Sequence, residues 1–180
     1  MKIKRNHLAA YGSKQDGATA VEFGLLLLPF FMLIMGIIEI SMYYANGIIL
    51  EGAALASSRV VRTGQAQQSG DAQAAFEQAM CDEVGVMMNC DEIVYEAVSL
   101  GSSFAGSMAA TPEYDADGNM VSSGFDSGGA DEVILIRLSY RHDFLFPLIG
   151  DFMEENDNTN SATHISTIVL RTEPYDFCLL

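Results

Sequence analysis

The chain has 180 residues, with 9 Lys and Arg against 24 Asp and Glu, a formal net charge of −15 and 49% hydrophobic residues. So acidic a polypeptide does not bind nucleic acid or anionic headgroups by charge. Its length leaves room for a leader, one membrane span and a single outer domain of about 110 to 130 residues. With no Gly-x-Ser-x-Gly elbow, no phosphate-cradling glycine loop and no CxxC or HxxxH spacing, the sequence offers no catalytic residue, cofactor or metal site.

Four of the nine basic residues, Lys2, Lys4, Arg5 and Lys14, precede Gly17. From Phe23 to Ile38 no residue is charged, and at about 1.5 Å per helical residue Val21 to Tyr43 extends about 33 Å, near the thickness of a bilayer's hydrocarbon core. This is a membrane span, with its basic end cytoplasmic and the remainder outside. Tyr43 and Tyr44 read as an aromatic belt, and Glu39 as an interface residue that snorkels to the outer headgroups. Glu22 lies just inside the apolar run, where a carboxylate drawn to mid-bilayer costs about 2 to 3 kcal/mol, so it calls for a partner. Pro29 removes one helical hydrogen bond, and a kink or melted turn is expected there.

The order of residues at this start is specific. A basic leader ends in Asp16-Gly17, Ala18 follows, Glu22 is fifth counting from Ala18 and Phe23 is sixth. This resembles the prepilin cleavage motif of type IV-like pilins and pseudopilins. The resemblance implies cleavage between Gly17 and Ala18 by a membrane-embedded prepilin peptidase, with the helix left in place. Glycine lets an extended backbone enter a protease cleft, and Glu22 would neutralise the new amine, its own or a neighbour's. Removal of residues 1–17 takes four basic side chains and Asp16, leaving 5 basic against 23 acidic, or −18. The competing readings are an uncleaved signal anchor and a Sec signal cut near Ala54-Leu55-Ala56; the latter lies too far beyond Ile38 for a cleavable signal.

Beyond the span the helix continues as an amphipathic stretch through Ile48, Ile49, Ala53, Leu55, Ala56, Val60 and Val61 to a cap at Gly64. Gln65 to Ser69 reads as a polar connector. Asp71 is the N-cap of a second helix whose apolar face carries Ala72, Ala75, Phe76, Ala79, Met80, Val84 and Met87. Of the three cysteines, Cys81 and Cys90 enclose the short loop and are the expected disulfide in an oxidising compartment, clipping this helix to the strand after it. Cys178 is free, paired between chains, or bonded to one of the other two.

Ile93–Leu100 alternates as a first strand. Residues 101–131 form a long loop or a weak hairpin turning at Asp115-Ala-Asp-Gly-Asn119, which resembles a calcium loop but lacks the glycine and terminal glutamate of an EF-hand. Glu132–Tyr140 is so continuously apolar that a central strand covered on both faces is expected. Arg141-His142-Asp143 reads as a solvated strand end, Pro147 ends regular pairing, and Glu154–Asn160 is an acidic turn. His164–Thr172 is the last strand, with Arg171 and Glu173 sharing a face as an ion pair.

Tyr140, then Phe144-Leu-Phe-Pro147-Leu, then Ser166-Thr-Ile-Val-Leu-Arg171-Thr-Glu173-Pro174-Tyr175 resembles the TadE-like pseudopilins of the tight adherence (Flp-type) pilus. With the processing motif and the Arg59, Arg62-Thr-Gly64 helix exit, the similarity covers most of the chain outside 101–131. It implies an α+β protein: leader 1–17, membrane and amphipathic helix 18–64, and a periplasmic head 65–180 with a second helix and a small antiparallel sheet. The implied role is structural, a non-enzymatic component of pilus biogenesis, adhesion and biofilm formation. The implied partners are the prepilin peptidase, other pilins or pseudopilins, the assembly platform and the inner membrane. The alternative is an uncleaved single-span envelope protein with an acidic ligand- or partner-binding head.

Overall fold

The computed structural model describes residues 16–85, 87–108, 110–153 and 160–175. Most of the leader, Cys178 and the core of the acidic turn after Met153 lie outside these residues. The chain forms two compact units, 1–40 and 41–180, and a single helix, α1 (Asp16–Arg62), runs from one into the other.

In the first unit the apolar side chains of α1 face outward: Val21, Phe23, Leu25, Leu26, Phe30 and Leu33 are all exposed. The helix is unbroken at Pro29, so the expected melted turn is not seen; a proline removes only one hydrogen bond, and the apolar helix on either side keeps its own. Glu39 is 5% exposed and therefore not a solvated interface residue.

In the second unit the same helix has an inner face. Leu50, Ala53, Ala54 and Val61 are buried in the core, and the buried Ser57 satisfies its hydroxyl by donating to the Ala53 carbonyl at 2.8 Å. Gly64 adopts φ 76, the left-handed conformation that ends a helix at low steric cost. The expected connector is instead a single helical turn, α2 (Gln65–Gln68). The Asp71 carboxylate then accepts from Ala74 N–H to start α3 (Ala72–Val84), which buries Phe76, Met80 and Val84 at four-residue spacing. A disulfide joins Cys81 to Cys90, Cα to Cα 5.4 Å, and ties α3 to the short turn Cys90–Glu92 ahead of the first strand.

The sheet is antiparallel in the order β1 (Val94–Ser99), β4 (Val133–Asp143), β5 (Ser161–Arg171), and a separate hairpin joins β2 (Glu113–Tyr114) to β3 (Met120–Val121). That hairpin turns at Asp115, whose carboxylate accepts from the backbone N–H groups of Asp117 and Asn119. Strand β4 is central and buried on both faces. Its even residues Ile134, Ile136 and Leu138 join the core with Ala97, Leu170, Phe76 and the inner face of α1. On its other face Arg137 stands opposite Glu96 in the register, and the two form a buried ion pair. Glu96 also accepts from Ser123 Oγ at 2.6 Å, and the guanidinium donates to the Ala110 carbonyl. Burial raises the Glu96 pKa, but the bonds from Ser123 and Arg137 outweigh it and hold the carboxyl below its usual range. The pair thus pins both ends of the 110–123 segment to the sheet. After β4, whose pairing already stops at Asp143 and the Phe144–Asn160 bond, a helix begins at Pro147, α4 (Pro147–Met153), where proline supplies a favourable first helical residue.

Removal of one partner strands a charge in the core, so Arg137→Met should destabilise the detergent-solubilised protein by about 3 to 5 kcal/mol. The double variant Glu96→Gln/Arg137→Met should recover most of that loss, as read by thermal unfolding.

Candidate processing and helix-exit site

The residues of the cleavage-like motif lie together on the first turns of α1. Gly17, Ala18, Glu22 and Phe23 are all exposed, and a Cβ added at Gly17 would meet nothing within 4 Å. Glu22 lies four positions after Ala18, so on a helix the α-amine of a chain beginning at Ala18 would lie one turn from the Glu22 carboxylate. The Gly17–Ala18 bond lies within α1, so an extended approach to a protease needs the helix to unwind locally around it.

The helix from Gly17 has a mean hydropathy of 2.4 in its most apolar stretch and is the one helix among the described residues long and apolar enough to cross a membrane. Contiguous exposed apolar surface of this kind suits lipid or other helices.

A second cluster forms in the head, next to residue 43. Tyr43 stacks on His164 with ring centroids 4.1 Å apart, and packs against Phe144 at 5.6 Å and His142 at 5.7 Å. Asn46 is buried, and its side-chain amide Nδ2 hydrogen-bonds with His142 Nδ1 at 3.0 Å. Tyr43 is thus a packing residue, and the belt position falls to Tyr44, 61% exposed. The solvated reading of Arg141-His142-Asp143 holds for its flanks, where Arg141 pairs with Asp143 at 3.3 Å. It fails for His142, which alternation turns inward and leaves 8% exposed.

His164 approaches α1 where Gly47 has no side chain; a Cβ there would lie 3.1 Å from the ring. Desolvation lowers the His164 pKa and the neighbouring His142 adds to the effect, against a hydrogen bond to the Tyr43 backbone that raises it. At the far end of the same helix, Arg62 and Glu173 approach to 3.9 Å, while Arg171 pairs with Asp131 at 2.8 Å. The expected Arg171–Glu173 pair is therefore replaced by two pairs reaching other elements. Sequence reasoning passed over the histidine cluster, since His142, His164 and Asn46 are far apart in the chain; strand alternation relates only the two histidines, and Asn46 comes from α1.

Residues 17–59 match the family described as TadE-like protein, which agrees with the resemblance carried by the motifs. The match covers α1 almost to its end and leaves residues 60–180 outside it. No curated protein and no solved structure matches the chain. A TadE-like segment on a chain with one apolar N-terminal helix suggests single-pass membrane anchoring and an association with the tight adherence pilus.

Burial lowers the His164 pKa in the fold, so as the pH falls through about 6.5, the ordinary histidine value, the folded state binds fewer protons than the unfolded chain. Stability contributed by neutral His164 is present at pH 7 and is lost as the pH falls below that value. The melting temperature should therefore drop further between pH 7 and pH 5 in the wild type than in His164→Gln, measured in the same detergent.

Proposed function

From the TadE-like match over residues 17–59, we propose that the chain is a pseudopilin-like subunit of a tight adherence pilus, trimmed between Gly17 and Ala18 and held in the inner membrane by α1. What carries the reading is a coincidence of position. The matched segment begins at Gly17, and the same residues present Gly17-Ala18, Glu22-Phe23 and an exposed apolar helix in one run.

The physical sequence of events follows from charge and solvent. The basic leader stays cytoplasmic while the apolar stretch enters the bilayer. A prepilin peptidase on that side unwinds the helix around Gly17 and cuts after it, where no side chain obstructs the cleft. The new Ala18 amine is a cation at the membrane edge, and Glu22 offsets it within its own chain or in a neighbouring subunit. Helices freed of their charged leaders pack side by side through van der Waals contact, which supplies assembly energy where lipid offers no hydrophobic gain. The head stands in the periplasm, in the oxidising compartment that favours the Cys81–Cys90 bond. Other pilins or pseudopilins and the assembly platform are the partners, and adhesion and biofilm formation are the consequences.

Intact mass of the protein extracted from its native membrane tests this directly. The expected species begins at Ala18, and Gly17→Leu should retain residues 1–17. An unmodified N-terminus in cells that hold an active prepilin peptidase would favour the uncleaved single-span anchor with an acidic binding head. Glu22→Ala should still be trimmed yet enter pili at less than about a tenth of the wild-type level; efficient incorporation would remove the role given to its carboxylate.

A further inference from the structure

We propose that the outer edge of β5, with the groove beside it, receives an extended basic segment of a different protein, added to the sheet as a fourth strand.

The backbone of β5 sets the geometry. At one end of its ladder with β4 the Thr172 N–H donates to the Glu132 carbonyl at 2.9 Å, and at the other the Phe144 N–H donates to the Asn160 carbonyl at 2.9 Å. Both contacts use an even-numbered residue on the β5 side. Antiparallel alternation therefore turns the even residues of β5 toward β4, and the N–H and C=O groups of Thr163, Ile165, Thr167 and Val169 away from it. Among the described residues, those four make no other backbone hydrogen bond. From Thr163 to Leu170 the strand also has no Lys, Asp, Glu or Pro, the residues that block edge pairing. The opposite edge of the sheet is closed by the chain itself: Ala97 N–H donates to Gly124 and Asp126 N–H donates to Ala97, at 3.1 and 2.8 Å.

Beside the open edge lies a groove of about 320 Å³, walled by Gly47, Leu50 and Glu51 of α1 and by residues 164–167 of β5. Strand addition between a sheet edge and a flanking helix uses backbone hydrogen bonds for affinity and alternate side chains for selectivity. Here Ile165 and Val169 offer exposed apolar contacts, 39% and 37% accessible. Glu51 offers a carboxylate, and the net charge of −15 selects lysine or arginine on the incoming strand.

A second copy of this chain fits poorly. Strand β5 and α1 point the same way, since His164 meets Gly47 and the Glu173 N–H donates to the Arg62 carbonyl at 2.9 Å. Two-fold antiparallel pairing of β5 with β5 would turn the second helix end for end. Its residue 41 would then point away from the membrane that the preceding apolar run requires. Two chains of charge −15 also repel. The inference uses the membrane anchor but is independent of trimming after Gly17.

The test uses the full-length protein in detergent micelles and a nine-residue peptide alternating valine with threonine and two lysines. Amide exchange at Ile165 and Thr167 should slow about tenfold or more with saturating peptide. The same peptide N-methylated on alternate amides should have no effect. A glutamate version should bind more weakly to the wild type, and Glu51→Lys should reverse that preference. Thr167→Pro should melt like the wild type, because the N–H it removes lies outside the β4–β5 ladder, and should lose protection; Ile165→Lys serves the same purpose if the proline variant does not fold. Unchanged exchange with the lysine peptide, equal protection by the methylated peptide, or protection that grows with protein concentration alone would overturn the proposal, the last in favour of self-pairing.

Discussion

The constraint on which the rest depends is that one continuous helix must satisfy two solvents. Residues 21–38 of α1 present apolar side chains outward, and no core of this chain covers most of them. From Leu50 to Val61 the same helix buries small and apolar residues in the head. The first stretch is stable only in lipid or against other helices, while the second is stable only with a sheet packed on it. The change occurs near residues 41–47, where Tyr43, Asn46 and Gly47 meet His142, His164 and Phe144.

What the sequence made legible were the features that need only local rules. An uncharged run of the right length marked the membrane helix, and Asp71 marked the start of α3. Continuous apolar residues marked β4 as the central strand, and Asp115 to Asn119 marked a turn. The fold class follows from these pieces. The register of β1 on β4 does not, and it is the register that places Glu96 opposite Arg137. A lone arginine inside an apolar strand signals a buried partner, but nothing local names residue 96. The same limit applied to Arg171 and Glu173, whose partners Asp131 and Arg62 come from a loop and a helix end.

The cleavage-like motif proposed here is of a different kind: its residues lie within seven positions of one another, so spacing alone carries the proposal, and the family match begins on its glycine. The helix-exit cluster is assembled from three elements and was missed, although it decides what Tyr43 does. A charge pair buried in the sheet and a half-buried histidine cluster beside α1 are both costly unless their surroundings are complete. Each therefore ties a stretch, the 110–123 segment in one case and the start of the head in the other, to helix and sheet.

The central claim is that the apolar half of α1 lies in the membrane and the head lies outside the cytoplasm. Protease treatment of intact spheroplasts from the native host, followed by mass analysis of what stays in the membrane, addresses it most directly. The account predicts that the head is digested without lysis while a fragment containing residues 21–38 remains protected. A head that resists protease until the membrane is broken, or an apolar segment cut as readily as the head, would contradict it.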